Sequence, residues 1–294
     1  MNSILNFPER GNYGNASYRG NCSGYVQKEL IEHFKPTLFI DVCEGSGTSA
    51  DVCKELNVDY IGLDLHKGFD FTRNAVLNYT KKQADLVFSH PPYHNMIDYK
   101  AERLKHNLVS TGNDLSSCTS VEEFFELSQL MLLNQRDAAR KNGIYTTLIG
   151  DYRKSGEFFS FQSDFIKIMP KDELLSVAIK LQHNTMSSFK NYNGSFIPIN
   201  HEYLIIWKKK EADVFSFIET KIAELKRTYN DSWKNIVKLA LMKLDNKANL
   251  NDIYSMVMVL APEKAKENNH YQAKIRQVLQ VNFTPVERGV WALN

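Results

Sequence analysis

Short apolar runs alternate with amphipathic stretches from Asn12 to about Lys210. Leu38 to Val42, Tyr60 to Leu63, Leu86 to Phe88, Tyr145 to Ile149, Leu174 to Leu181 and Tyr203 to Trp207 have the length and character of strands. Between them, Val26 to Phe34, Ser49 to Leu56, Val121 to Arg140 and Ser163 to Met169 space their apolar residues for helices. Short runs of this kind suit a parallel sheet covered on both faces, so the pattern predicts an α/β domain over residues 1–210. The chain turns polar at Lys208 to Glu211, and Val214 to Tyr229 predicts one amphipathic connecting helix within 211–230. The tail, 231–294, has a different grammar. Helices are expected at Trp233 to Leu244, at Ile253 to Leu260 behind an Asn249-to-Asp252 cap, and at Tyr271 to Gln280, followed by a β-like end, Phe283 to Leu293, turning at Gly289. Three helices and a two-stranded end predict a small winged helix-turn-helix.

Composition narrows the setting. No apolar run approaches the ~20 residues that span a bilayer, and Met1 to Arg10 lacks the charged start and apolar core of a signal peptide. A cytoplasmic protein without a membrane partner is expected. Four cysteines without a C-x-x-C pair predict buried thiols rather than a disulfide framework or a zinc site. A formal net charge of +2 is too small to announce a nucleic-acid partner, so any such footprint must be local.

Two motifs carry candidate chemistry. Asp41-Val42-Cys43-Glu44-Gly45-Ser46-Gly47-Thr48 follows a strand and reads as a tight glycine turn opening a helix, which leaves backbone N–H groups for a polar or anionic ligand. The next strand ends in Asp64, roughly 20 residues on, where Rossmann-like folds grip ribose hydroxyls. The G-x-G-T spacing departs from the dinucleotide fingerprint and favours S-adenosyl-L-methionine over NAD. Downstream, Ser89-His90-Pro91-Pro92-Tyr93 closes a strand with a stiff loop whose prolines fix φ and donate no N–H, so nearby carbonyls are left to accept.

In this order the motifs resemble those of the amino-group DNA methyltransferases, which modify adenine N6 or cytosine N4. Tyr18 to Ser23 is similar to the family's upstream cofactor motif, Asp41 to Thr48 to its glycine motif, Leu63-Asp64-Leu65 to its acidic strand end, Ser89 to Tyr93 to its catalytic loop and His201 to Lys208 to its late strand. The resemblance covers about residues 7–210 and implies a Rossmann-like methyltransferase fold. It implies that Arg19, Gly20, Asn21, Cys22, Glu44, Gly45, Ser46, Gly47 and Thr48 hold the methionine part of the cofactor and Asp64 the ribose, with Asp41 also in the cofactor-binding set. Tyr93 would stack on a flipped base. The family places Asp, Asn or Ser before Pro-Pro; here His90 stands there. Either a neutral His90 ring accepts the hydrogen bond from the target amine, or the carbonyls of His90 and Pro91 do so, with Ser89 a further candidate. Adenine N6 is preferred over cytosine N4.

Double-stranded DNA is the expected partner, with a cognate restriction endonuclease as a companion. Lys100, Arg103 and Lys105 lie in the polar stretch after Tyr93 and are read as DNA contacts, and Tyr152 to Lys154 beyond Asp151 as phosphate contacts. In the tail, Gln272, Lys274, Arg276 and Gln280 project from a face apart from Ile275, Val278 and Leu279, and Gln and Arg can read adenine and guanine edges. Two other readings stand beside this one: an RNA methyltransferase, and a non-catalytic regulator that keeps the fold as scaffold. The chemistry calls for no metal.

Overall fold

The computed structural model describes residues 1–108, 112–183, 197–211 and 233–293. They form two compact units. The helix expected from Val214 to Tyr229 lies outside the described residues.

The first unit runs β1 (Ile4–Leu5), α1 (Gly24–Phe34), β2 (Leu38–Asp41), α2 (Thr48–Glu55), β3 (Asp59–Gly62), α3 (Val76–Thr80), β4 (Ala84–Ser89), α4 (Tyr99–Lys105), α5 (Val121–Ala138) and β5 (Ala139–Ile149). A hairpin, β6 (Tyr152–Lys154) and β7 (Glu157–Phe159), then leads to α6 (Phe161–Lys167), β8 (Leu174–Leu181) and β9 (His201–Lys208). Seven strands make one sheet in the order β1-β8-β9-β5-β4-β2-β3. β9 runs antiparallel to β5 and β8, and every other pairing is parallel. This is a Rossmann-like α/β domain. All four residues of β2 are buried, and Phe39, Leu86 and Phe88 pack with Val26 and Leu30 of α1 and Val52 of α2.

The chain steps outward from β2 to β3 and returns as β4 on the other side of β2. Open α/β sheets bind ligands at such a switch, beyond the carboxyl ends of the strands. Register fixes the alignment: Asp41 lies beside Phe88, and the Val42 N–H donates to the Phe88 carbonyl at 3.0 Å. The turn after β2 and the loop after β4 therefore leave the sheet side by side.

Two expectations shift. α5 ends at Ala138 and β5 begins at the next residue, so Ala139 and Arg140 are strand rather than helix. Ala139 pairs with Ala84, and the Arg140 guanidinium donates to Asp85 at 2.5 Å; edge pairing outweighs the helical spacing. The polar stretch after Tyr93 contains α4, capped by Asp98, which accepts the Ala101 N–H at 3.0 Å.

The second unit consists of α7 (Trp233–Lys243), β10 (Lys247–Asn249), α8 (Leu250–Leu260), α9 (Pro262–Glu267), α10 (Tyr271–Asn282), β11 (Thr284–Glu287) and β12 (Val290–Ala292). The strands form a small antiparallel sheet, β10-β12-β11, beside a core of Ile236, Leu241, Ile253, Val257, Ile275 and Leu279. The Asn249 side chain caps α8, accepting from the N–H groups of Asn251 and Asp252 at 3.0 Å each. β10 and α9 had no apolar pattern to announce them. Among the described residues no helix is long and apolar enough to cross a membrane.

Candidate active site

The glycine turn is fixed from three sides. Gly45 and Gly47 take positive φ, 55° and 90°, a region that favours glycine. Buried Asp41 ties the turn to α2, its carboxylate accepting from Ser49 Oγ at 2.5 Å and the Cys43 N–H at 2.9 Å; burial pushes its pKa up to about 7. Asp64 accepts the Gly45 N–H at 2.9 Å on one oxygen, and the N–H and Nδ1 of His66 at 3.2 and 2.7 Å on the other. Burial pushes the Asp64 carboxyl up, but these hydrogen bonds and the His66 charge outweigh it and hold the group below its ordinary range. Asn21 completes the frame, donating to Ser46 Oγ at 2.6 Å and accepting from Thr48 Oγ1. Glu44 is ion-paired with Lys67.

Beside this turn lies a cleft that is open to solvent. Its wall includes Asp41, Glu44, Asp64 and Asp114, with Leu65, Phe71 and Leu115 as the apolar part. A second cleft, about 720 Å³, is walled by Tyr93, Met96, Ile97, Lys180, Gln182 and Glu202. The two share Gly20, Asn21, Cys22, His90 and Tyr99. His90 thus stands where they meet.

The wall of the second cleft contains a chain of polar groups in which Glu202 is buried and Lys180, Tyr93 and His90 are half-buried. Lys180 Nζ donates to Glu202 Oε2 at 2.6 Å, the Tyr93 hydroxyl donates to Glu202 Oε1 at 2.6 Å, and His90 Nε2 lies 2.8 Å from that hydroxyl. Burial pushes the Glu202 carboxyl up, but Lys180, His90 and the Tyr93 hydrogen bond hold it below the usual range. Burial drives the His90 pKa down to about 4, with Glu202 opposing, so the ring is neutral at pH 7. Sequence reading missed Lys180 and Glu202. Both sit in strands far along the chain, and only the β8–β9 register, Lys180 beside Glu202, brings them together.

Three expected site residues lie elsewhere. Ser89 is fully buried and its hydroxyl turns into the protein, 2.9 Å from Gln135 Oε1 and 2.8 Å from Thr147 Oγ1; strand alternation aims it at α5, away from both clefts. Arg19 is exposed, and only its backbone N–H is held, by Glu102 at 2.9 Å. Arg103, expected on DNA, is 6 % exposed, paired with Asp114, and part of the first cleft's wall, because α4 folds that side inward. Among the described residues its Nε has no hydrogen-bond partner.

The others are placed as follows. Pro92 lines the first cleft and Pro91 is buried behind it. Lys100 is exposed, and Lys105 pairs with Glu102 at 3.1 Å. Asp151 is buried outside both clefts, its carboxyl raised by burial, while Arg153 lies over the Phe158 ring and donates to the Ile197 carbonyl. In the second unit Gln272, Arg276 and Gln280 are exposed on α10, and Lys274 donates to Gln277 at 3.0 Å. None of the four cysteines is in a disulfide. Burial pushes the Cys43 thiol well up, which suits packing rather than chemistry.

No family profile matches the chain, and no curated protein matches it in sequence. Solved structures similar to it include TrmN from Thermus thermophilus, 13% identical over 65% of this chain and 50% of that one, with a TM-score of 0.39. A candidate DNA modification methylase, also from Thermus thermophilus and in complex with S-adenosyl-L-methionine, is 16% identical over 48% of this chain and 51% of that one, with a TM-score of 0.31. A SAM-dependent methyltransferase from Archaeoglobus fulgidus is 12% identical over 63% of this chain and 92% of that one, with a TM-score of 0.37. The chain spans about half the length of the first two.

Proposed function

We propose that this protein is a DNA methyltransferase that transfers a methyl group from S-adenosyl-L-methionine to an exocyclic amino nitrogen of a base swung out of the duplex, adenine N6 in preference to cytosine N4. The observation that carries this reading is the meeting of the two clefts at His90: one runs along the glycine turn, the other is walled by Tyr93, Lys180 and Glu202.

The first cleft suits the cofactor in charge. The carboxylates of Glu44, Asp64 and Asp114, with Asp41 partly ionised beside them, outnumber the one guanidinium in the wall and suit a cationic ligand, and the apolar patch of Leu65, Phe71 and Leu115 suits a base ring. Asp64 would hold the ribose: three of its roughly four acceptor sites are used, and one is left for a hydroxyl. Asn21, Glu44 and the turn from Gly45 to Thr48 would hold the methionine end. The bound cofactor supplies a methyl group on a positively charged sulfur.

The protein's own contribution is positioning and hydrogen bonding. An amine conjugated to its ring is a poor nucleophile because its lone pair is delocalised. A neutral His90, with the His90 and Pro91 carbonyls, offers acceptors to its N–H groups, which favours the pyramidal nitrogen with a localised lone pair. The amine is paired inside duplex DNA, so the base must leave the stack to reach this point.

The second unit supports the same reading. Helices followed by a small antiparallel sheet, with Gln272, Arg276 and Gln280 exposed along α10, fit a winged helix-turn-helix that reads duplex DNA. A restriction endonuclease of matching specificity is the companion this implies. The test is incubation of the protein with unmethylated duplex DNA and labelled cofactor, then nucleoside mass spectrometry. N6-methyladenine is expected; N4-methylcytosine alone would reject the choice of base, methyl in RNA alone would reject DNA, and cofactor binding without transfer would reject catalysis. Removing 231–294 should weaken DNA binding and leave cofactor affinity intact.

A further inference from the structure

Hydrogen-bond donors in the polar chain behind His90 can be counted. A tyrosine hydroxyl has one proton. The Tyr93 proton is committed to Glu202, 2.6 Å away, and Glu202 has only acceptors to offer because Lys180 holds it ionised. The contact between Tyr93 and His90 Nε2, 2.8 Å, therefore requires the ring nitrogen to be the donor. A neutral ring protonated on Nε2 carries its lone pair on Nδ1. Among the described residues Nδ1 has no hydrogen-bond partner, and His90 is a wall of both clefts.

We propose that Glu202, anchored by Lys180, is a positioning residue: through the Tyr93 hydroxyl it orders His90 as the Nε2–H tautomer and so makes Nδ1 the acceptor for an N–H of the target amine. This rests on the methyl-transfer reading for its purpose, but the ordering itself is a property of the protein alone. The oxygen acceptors that the resemblance expects at position 90 need no such help, since a carboxylate, amide or hydroxyl oxygen always accepts. An imidazole accepts or donates depending on where its one proton sits, and something must choose.

Glu202→Gln tests the choice because it keeps shape and reverses direction. Lys180 can only donate, so the new amide turns its carbonyl to Lys180 and its NH₂ to Tyr93. The Tyr93 oxygen then accepts from that NH₂, its own O–H turns to donate to His90 Nε2, and the single ring proton sits on Nδ1. A donor now faces the amine N–H, and turnover should fall about 10- to 100-fold with cofactor affinity unchanged.

The deciding readout is the ¹⁵N spectrum of the histidine rings, with His90 assigned by its loss in His90→Ala. The wild-type signal should be that of the Nε2–H tautomer, and Glu202→Gln should shift it to Nδ1–H. Tyr93→Phe removes the relay, so adding Glu202→Gln to it should move the His90 signal no further. Wild-type His90 protonated at Nδ1 overturns the proposal, and so does a Glu202→Gln variant that loses turnover with its tautomer unchanged, or switches tautomer at full turnover. The wild-type spectrum needs no substitution, so a variant that fails to fold leaves the question decidable. Absence of transfer by a wild-type protein with His90 in the Nε2–H form would instead sink the methyltransferase reading.

Discussion

Replacing Gly150 with alanine adds one methyl group immediately after β5, and that methyl has nowhere to go. An alanine Cβ at 150 would stand 2.7 Å from Tyr93 Cε2 and 3.1 Å from Cδ2, where ordinary contact begins at 3.4 Å. Gly150 is not among the residues with positive φ, so the backbone accepts alanine without strain and the whole conflict falls on the Tyr93 ring. The ring must retreat by about 0.7 Å. Its hydroxyl cannot follow freely, because it is held at 2.6 Å from Glu202 and 2.8 Å from His90. Lengthening the bond to an ionised partner past roughly 3.2 Å forfeits much of it. Either the bond weakens or the site stays overpacked, and each route costs about 2 kcal/mol.

The same displacement moves the wall of the second cleft, and a misplacement on the scale of an ångström lowers turnover by up to about 10². Gly150→Ala should therefore lose about 2 kcal/mol in urea unfolding and most of its methyl transfer. Cofactor affinity by calorimetry should be unchanged, since Gly150 lines neither cleft. Wild-type transfer at wild-type stability would refute the reasoning, because it would mean that Tyr93 is not held where its hydrogen bonds place it.

Three further outcomes are expected. With the His90 pKa lowered to about 4 by burial against the opposing charge of Glu202, transfer measured against pH at saturating cofactor, where the Asp41 titration near 7 in the first cleft bears only on cofactor binding, should be flat from 8 to 6 and fall only on approach to 4; an inflection near 6.5, the ordinary histidine value, would contradict it. The same shift costs stability as pH falls from about 6.5 to 4, since the unfolded chain binds the proton that the folded ring refuses. Asp85 joins β4 to Thr37, Leu38 and Arg140 and is held well below the carboxylate range: burial raises it, but the hydrogen bonds from Thr37 and Arg140 win. Its contribution is present above pH ~4 and lost below it, so Asp85→Asn should cost about 1 to 2 kcal/mol at pH 7 after allowance for its solvent contact, and the variant's urea midpoint should converge with the wild type in acid. Arg103→Met should lower cofactor affinity and leave DNA affinity unchanged, because the side chain faces the first cleft; a loss of DNA binding alone would return Arg103 to the DNA-facing role.

The fold was readable wherever a strand was apolar enough to be buried on both faces. β2, β4 and β9 each contain a continuous apolar run, Leu38 to Ile40, Leu86 to Phe88 and Tyr203 to Trp207, and the two turns of interest are visible because each follows closely on such a run. Burial of short polar helices was not readable. α4 has no apolar face to betray it; Tyr99, Glu102 and Arg103 are turned inward by an Asp98 cap and by ion pairing, and a string of charges there looks like a solvated loop. Ser89 was misjudged because its neighbours suggested a role while its place in the β4 alternation already pointed it at Gln135. Lys180 and Glu202 were invisible for another reason: their partnership is made by antiparallel register between strands with a long connection between them.

The missed helix bears on how the two clefts work together. Gly20 takes φ 83°, and a Cβ there would run into the Tyr99 hydroxyl, so the absence of a side chain at 20 is what lets Tyr99 close over the upstream motif. Glu102, three residues on, holds the Arg19 N–H, and Arg103 is locked to Asp114. Tyr99 and Gly20 are wall to both clefts, and Arg103 and Asp114 to the first. A ligand in either cleft thus presses on a segment that also bounds the other. Coupling of that kind is reciprocal: whatever factor a ligand in one cleft applies to the affinity of the other cleft for its ligand, the second ligand applies to the first. The polar stretch after the Pro-Pro loop therefore belongs to the joint between the two clefts, and its charges are spent on holding that joint closed.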